Sequence, residues 1–79
     1  MPMTGTEIDR TIGMNVRLEC VKTHSSYASV ADAIGLDQRA FRRRTRGEVS
    51  WSATEVAATA RVLKVPVGQL FEPIEGGSL

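Results

Sequence analysis

The feature that most restricts this chain is how rarely it is interrupted. Proline occurs only at positions 2, 66 and 73, and between Gly13 and Pro66 the only glycines are Gly35 and Gly47. A stretch with so few breakers, rich in alanine and poor in strand-favouring residues, leaves packed helices as its natural fold. No Asn-Gly or Asp-Gly pair offers a tight hairpin turn. The two internal glycines and the short polar breaks therefore mark helix ends, and the sequence predicts an all-α fold of five helices.

Capping chemistry and apolar spacing set the expected boundaries. Thr4 and Glu7 have capping-box spacing, which opens a first helix from Glu7 to Thr23. Ile8, Ile12, Val16 and Cys20 recur every four residues and form its apolar stripe. His24-Ser25-Ser26 is a break. Ser26 caps a second helix, Tyr27 to Ile34, with Val30, Ala31 and Ile34 inward, and Gly35 ends it with positive φ. Asp37 caps a third helix, Gln38 to Arg46, stopped by Gly47. Ser52 and Glu55 form a second capping box, opening a fourth helix to about Lys64 with Val56, Ala60 and Leu63 inward. Pro66 starts a short fifth helix with Val67, Leu70 and Phe71 inward, and Pro73 closes it. Residues 1–6 and 75–79 read as flexible ends around one domain spanning 7–74.

Composition narrows the function classes. A chain of 79 residues makes one domain with a small core and no deep cleft. One cysteine forms no disulfide framework and suits a reducing, cytoplasmic setting. No apolar run approaches the roughly 20 residues of a membrane span, and the start lacks a basic flank followed by an apolar stretch, so neither a membrane partner nor a secretory leader is expected. One histidine and one cysteine make no zinc site, and no paired carboxylates or nucleophile–base pair stand at catalytic spacing. An enzyme, a cofactor and a small-molecule ligand are therefore not expected.

Charge is informative only when it is located. The net value is +1. Residues 1–26 balance to zero, 27–50 carry +2 and 51–79 carry −1. Five of the ten basic residues, Arg39, Arg42, Arg43, Arg44 and Arg46, fall in one eight-residue window, and 38–47 contains no acid. Such a block in a near-neutral chain is a focused anion-binding face.

The block lies in a recognisable setting. Two short helices joined by Gly35-Leu36-Asp37 have helix-turn-helix proportions, over about 27–46. Ala31 is the small residue at the crossing, Gly35 supplies positive φ at the turn, and Phe41 is the apolar anchor of the second helix. Arg39, Arg42, Arg43 and Arg46 follow i, i+3, i+4, i+7 and share one helix face, while Ala40, Phe41 and Arg44 fall toward the other. Arginine can bond guanine, and glutamine adenine, with two hydrogen bonds in the major groove. Arginines near the far end of such a helix more often reach phosphates.

From about Ile12 to Phe71 the chain resembles the Cro/C1-type helix-turn-helix family, the five-helix, lambda-repressor-like DNA-binding domain. Residues Tyr27 to Gln38 resemble its Gln-x-x-Leu-Ala then Gly-x-Ser-Gln pattern. Gly47 resembles its glycine after the recognition helix, and Ala60, Leu63, Val65, Val67 and Leu70 its closing Ala-x-x-Leu-x-Val-x-x-x-x-Leu run. The resemblance implies a transcriptional repressor of phage or bacterial type, working in the bacterial cytoplasm as a homodimer on a pseudo-palindromic double-stranded DNA operator. It implies base contacts from Gln38, Arg39, Arg43 and the adjacent Arg42. It implies phosphate contacts from Ser26, Tyr27, Arg46, Ser50 and Trp51. Val67, Leu70, Phe71 and Ile74 are the candidate dimer surface, with the first helix as second choice.

The chain departs from the family pattern at three places. Tyr27 replaces the usual glutamine, Trp51 the loop proline, and Arg44 a buried aliphatic. Arg44 either packs its stem with its head turned outward or marks a shifted third helix. Trp51 either packs under its loop or lies against the DNA backbone. Two other uses of the same fold stay open: an antitoxin paired with a toxin, and a protein-interaction module.

Overall fold

A computed structural model describes residues 5–74. Every regular element among them is helical: α1 Gly5–Lys22, α2 Tyr27–Ile34, α3 Gln38–Thr45, α4 Ala53–Leu63 and a 3-10 helix at Val67–Phe71. No helix among these residues is long and apolar enough to cross a membrane. α1 begins at Gly5, so residues 5 and 6 belong to its first turn and not to a flexible start. Thr4, and with it the expected Thr4–Glu7 capping box, lies outside the described residues, as does the tail 75–79.

Local chemistry accounts for the helix ends. Ser26 caps α2 by accepting a hydrogen bond from the Ser29 amide, and Asp37 caps α3 by accepting from the Ala40 amide. Ser52 and Glu55 form a complete capping box at α4. Each such bond satisfies one of the amides a helix start leaves free. Gly35 ends α2 at φ 79 and Gly47 follows α3 at φ 77, the left-handed region that favours glycine.

The core is one cluster drawn from every element. α1 contributes Ile12, Val16 and Cys20; α2 contributes Val30 and Ala31; α4 contributes Val56, Ala60 and Leu63. Phe41 of α3 and Leu70 of the 3-10 helix are fully buried. Burial pushes the Cys20 thiol up, and the neighbouring Glu19 charge adds to the shift, which keeps it a packing residue. Phe41 sits between Tyr27 and Trp51, with ring centroids 5.6 and 5.8 Å away and both pairs edge-on. This aromatic file fixes α3 against α2 and the α3–α4 loop.

Polar side chains, some of them buried, tie distant segments together. Asn15 Nδ2 donates to the carbonyls of Leu70 (2.9 Å) and Glu72 (2.8 Å), binding the 3-10 helix to α1. Gln69 Nε2 donates to Glu19 Oε2 at 2.9 Å. Asp9 accepts from the Ser50 hydroxyl (2.7 Å) and the Trp51 amide (3.1 Å), binding the α3–α4 loop to the start of α1.

The closing element departs from expectation. It is a 3-10 helix, and of Val67, Leu70 and Phe71 only Leu70 points inward, while the other two are nearly half exposed. At three residues per turn Phe71 rotates away from Leu70's face, and Val67 sits at the open entry beside the exposed Pro66.

Candidate nucleic-acid interface

α3 is built to show one face and hide the other. Phe41 and Thr45 are buried on its inner side. The Thr45 hydroxyl is spent on the Arg42 carbonyl at 2.8 Å. On the outer side Gln38, Arg39, Arg42, Arg43 and Arg46 are all exposed and line one shallow depression of about 420 Å³. The i, i+3, i+4, i+7 spacing thus produces a continuous face.

The electrostatics of that face follow from its partners. Arg39 and Arg42 pair with no carboxylate among the described residues. Arg43 lies 3.6 Å and Arg46 3.9 Å from Glu48, and these pairs are exposed. Exposed ion pairs of this kind contribute about 0–1 kcal/mol, so Glu48 restrains the two arginines only weakly.

Arg44 stands apart from them. Its Nε donates to Glu55 Oε1 at 2.8 Å and its Nη1 to the Ala40 carbonyl at 3.0 Å. The side chain is largely buried and braces α3 against α4. The same Glu55 oxygen accepts from the Ser52 amide in the capping box. Burial pushes the Glu55 carboxyl up, but hydrogen bonds from Arg44 and Ser52 and the Arg44 charge outweigh it and hold it below its ordinary value. Arg44 is therefore a structural residue.

The expected flanking contacts divide. Ser26 remains exposed while its hydroxyl oxygen caps α2. Tyr27 is half-buried, with its ring held against Phe41. The Ser50–Trp51 loop turns its donors inward, onto α1. Ser50's hydroxyl and Trp51's amide already donate to the Asp9 carboxylate, an anion that would repel a phosphate. Trp51 is buried, at 8% residue exposure, with its ring packed edge-on against Phe41. Leu70, at 0% exposure, is core and leaves the candidate dimer surface.

Two further surfaces take shape only in the fold, although the sequence already offers Ile74 and the first helix as candidates for a dimer surface. The first is a second depression of about 220 Å³, lined by Arg17, Tyr27, Arg42, Thr45 and Arg46, which continues the arginine face onto α1. Arg17 is far from the arginine window and next to the buried Val16, so only the register of α1 could reveal it. The second is an apolar groove of about 350 Å³ formed by Met14, Leu18 and Val21 of α1 with Ile74, with Arg17 and Tyr27 at its rim. No protein-family model matches the chain, and no curated protein matches it in sequence.

Proposed function

We propose that the chain is a sequence-specific, double-stranded-DNA-binding transcriptional regulator of Cro/C1-like helix-turn-helix type, acting as a dimer on a pseudo-palindromic operator. One observation carries this reading: Gln38, Arg39, Arg42, Arg43 and Arg46 line a single exposed face of α3 that no buried carboxylate neutralises. α2, the turn at Gly35 and α3 then act as the motif, with α3 as recognition helix. An α-helix with its side chains is about 10–12 Å across, which the roughly 12 Å wide major groove admits.

In this mechanism Gln38, Arg39 and Arg43 read base edges, and Arg42 serves the boundary between bases and backbone. Arg46, Tyr27 and Ser26 hold phosphates and set the register of α3. Bound DNA competes with Glu48 for Arg43 and Arg46, at little cost because both pairs are exposed. One copy makes few contacts, so specificity needs two copies, with half-sites about 34 Å apart. Occupying the operator would exclude polymerase, which is repression by steric block.

Selection of duplexes from a random pool, followed by affinity measurements, tests the reading. Arg43→Ala should cost about 1–3 kcal/mol and relax preference at one position. Arg46→Ala should weaken cognate and scrambled duplexes alike. Enrichment of no sequence, or unchanged binding when Arg39→Ala and Arg43→Ala are combined, would exclude α3 as the reading element.

A further inference from the structure

We infer that Arg17, Arg42 and Arg46, with Tyr27, form a cradle for one backbone phosphate of the duplex, which makes α1 a DNA-contacting helix. This rests on the DNA-binding reading above and extends it to a residue outside the motif.

The cradle is a depression of about 220 Å³ lined by three arginines: Arg17 of α1, Arg42 of α3 and Arg46 at the C-cap of α3. No carboxylate lines it. Arg17 and Arg42 have no ion-pair partner among the described residues, and Arg46 has only the exposed contact to Glu48 at 3.9 Å. The charges of three such neighbours repel one another until an anion enters. A phosphodiester supplies one negative charge and two non-bridging oxygens, which suit the planar forks of arginine.

The floor and wall are already fixed. Thr45's hydroxyl is committed to the Arg42 carbonyl, so the arginines are the donors. Tyr27 is held edge-on by Phe41 and forms one wall. Inorganic phosphate offers the same chemistry, but position favours the duplex. The cradle shares Arg42 and Arg46 with the depression that Gln38, Arg39 and Arg43 complete. A ligand that fills both at once must present base edges and a phosphate side by side.

The experiment compares the full chain with Arg17→Gln, Arg17→Lys and Arg61→Gln. Arg61 lies on the exposed side of α4 and controls for the loss of one charge anywhere. Affinity for the selected operator and for a scrambled duplex is measured across salt concentrations. Arg17→Gln should weaken both duplexes by the same factor, several-fold, and flatten the salt slope by about one. The selected sequence should stay the same, Arg17→Lys should keep the slope, and Arg61→Gln should behave as the parent chain. Phosphate-ethylation interference should lose one sensitive phosphate per half-site in Arg17→Gln only.

An Arg17→Gln slope equal to that of the parent or of Arg61→Gln overturns the cradle. If Arg43→Ala still impairs binding in that case, the cradle alone fails; if Arg43→Ala is also silent, the DNA reading fails with it. Inorganic phosphate at matched ionic strength should not displace the operator. Displacement that Arg17→Gln abolishes would assign the site to a free anion and overturn the duplex as its ligand.

Discussion

Gly13 sets how closely α1 approaches the end of α3. A Cβ at this position would meet the Thr45 carbonyl oxygen and lie 2.8 Å from the carbonyl carbon. Backbone cannot swing aside as a side chain can, so Gly13→Ala should cost about 1–3 kcal/mol, read from the denaturant midpoint. It should also weaken duplex binding, because Thr45 directly precedes Arg46 and borders the arginine depressions. An unchanged midpoint would mean the two helices separate freely. The sequence shows Gly13 only as a blemish in a helix, because the residue that requires it is distant along the chain. Thr59 poses the opposite case. Its side-chain oxygen is buried, with 0% residue exposure, and has no partner among the described residues. Thr59→Val removes that orphan hydroxyl while keeping the branched shape, so it should raise stability by about 1 kcal/mol in thermal unfolding. A lower melting temperature would show that the hydroxyl is satisfied in solution.

At the scale of elements, legibility follows sequence distance. The ends of α2, α3 and α4 lie close to where Ser26, Asp37 and the Ser52–Glu55 box place them, because a cap and its amide are three residues apart. The ties of Asn15 to Leu70 and Glu72, and of Asp9 to the Ser50–Trp51 loop, have no local signature. For that reason the sequence does not reveal that the loop's donors face an aspartate from α1. Asn15→Ala should release the 3-10 helix, costing about 2 kcal/mol for two lost hydrogen bonds. Faster amide exchange at residues 69–72 would report it, and unchanged exchange would mean Leu70 burial alone holds the element. Glu55 links two elements, capping α4 and holding Arg44 of α3. Its folded carboxyl titrates below its ordinary value, so the stabilisation is complete above that value and is lost as pH falls through the lower folded one. Glu55→Gln should therefore cost about 1–3 kcal/mol at neutral pH. The gap from the parent chain should close on acidification, as the pH falls from the ordinary carboxylate range through the lower folded value. A gap that holds constant with pH would assign the loss to packing alone.

On the proposed function, the whole molecule must reconcile a net charge of +1 with a polyanionic partner. The charge that matters is concentrated on one side of α3, with Arg17 extending it onto α1, so the rest of the surface adds little non-specific attraction. On that proposal, affinity comes from doubling the face. The apolar groove of Met14, Leu18, Val21 and Ile74 is the surface best suited to a second copy. Val21 is 72% exposed, and Met14 and Leu18 are nearly half exposed, at i, i+4, i+7 on one helix. Large apolar side chains in such a stripe mark an interaction site more often than a solvated face. The groove shares Arg17 and Tyr27 with the phosphate cradle, so it adjoins the arginine face. Leu18→Glu places a charge in the groove without entering the core. Its thermal stability at low concentration should match the parent chain, while the dimer dissociation constant by sedimentation should rise at least tenfold, about 1.4 kcal/mol. Operator binding should weaken in step, and binding to a single half-site should not change. If Leu18→Glu sediments as the parent does, the copies meet elsewhere, and the exposed Val67 and Phe71 become the surface to alter next.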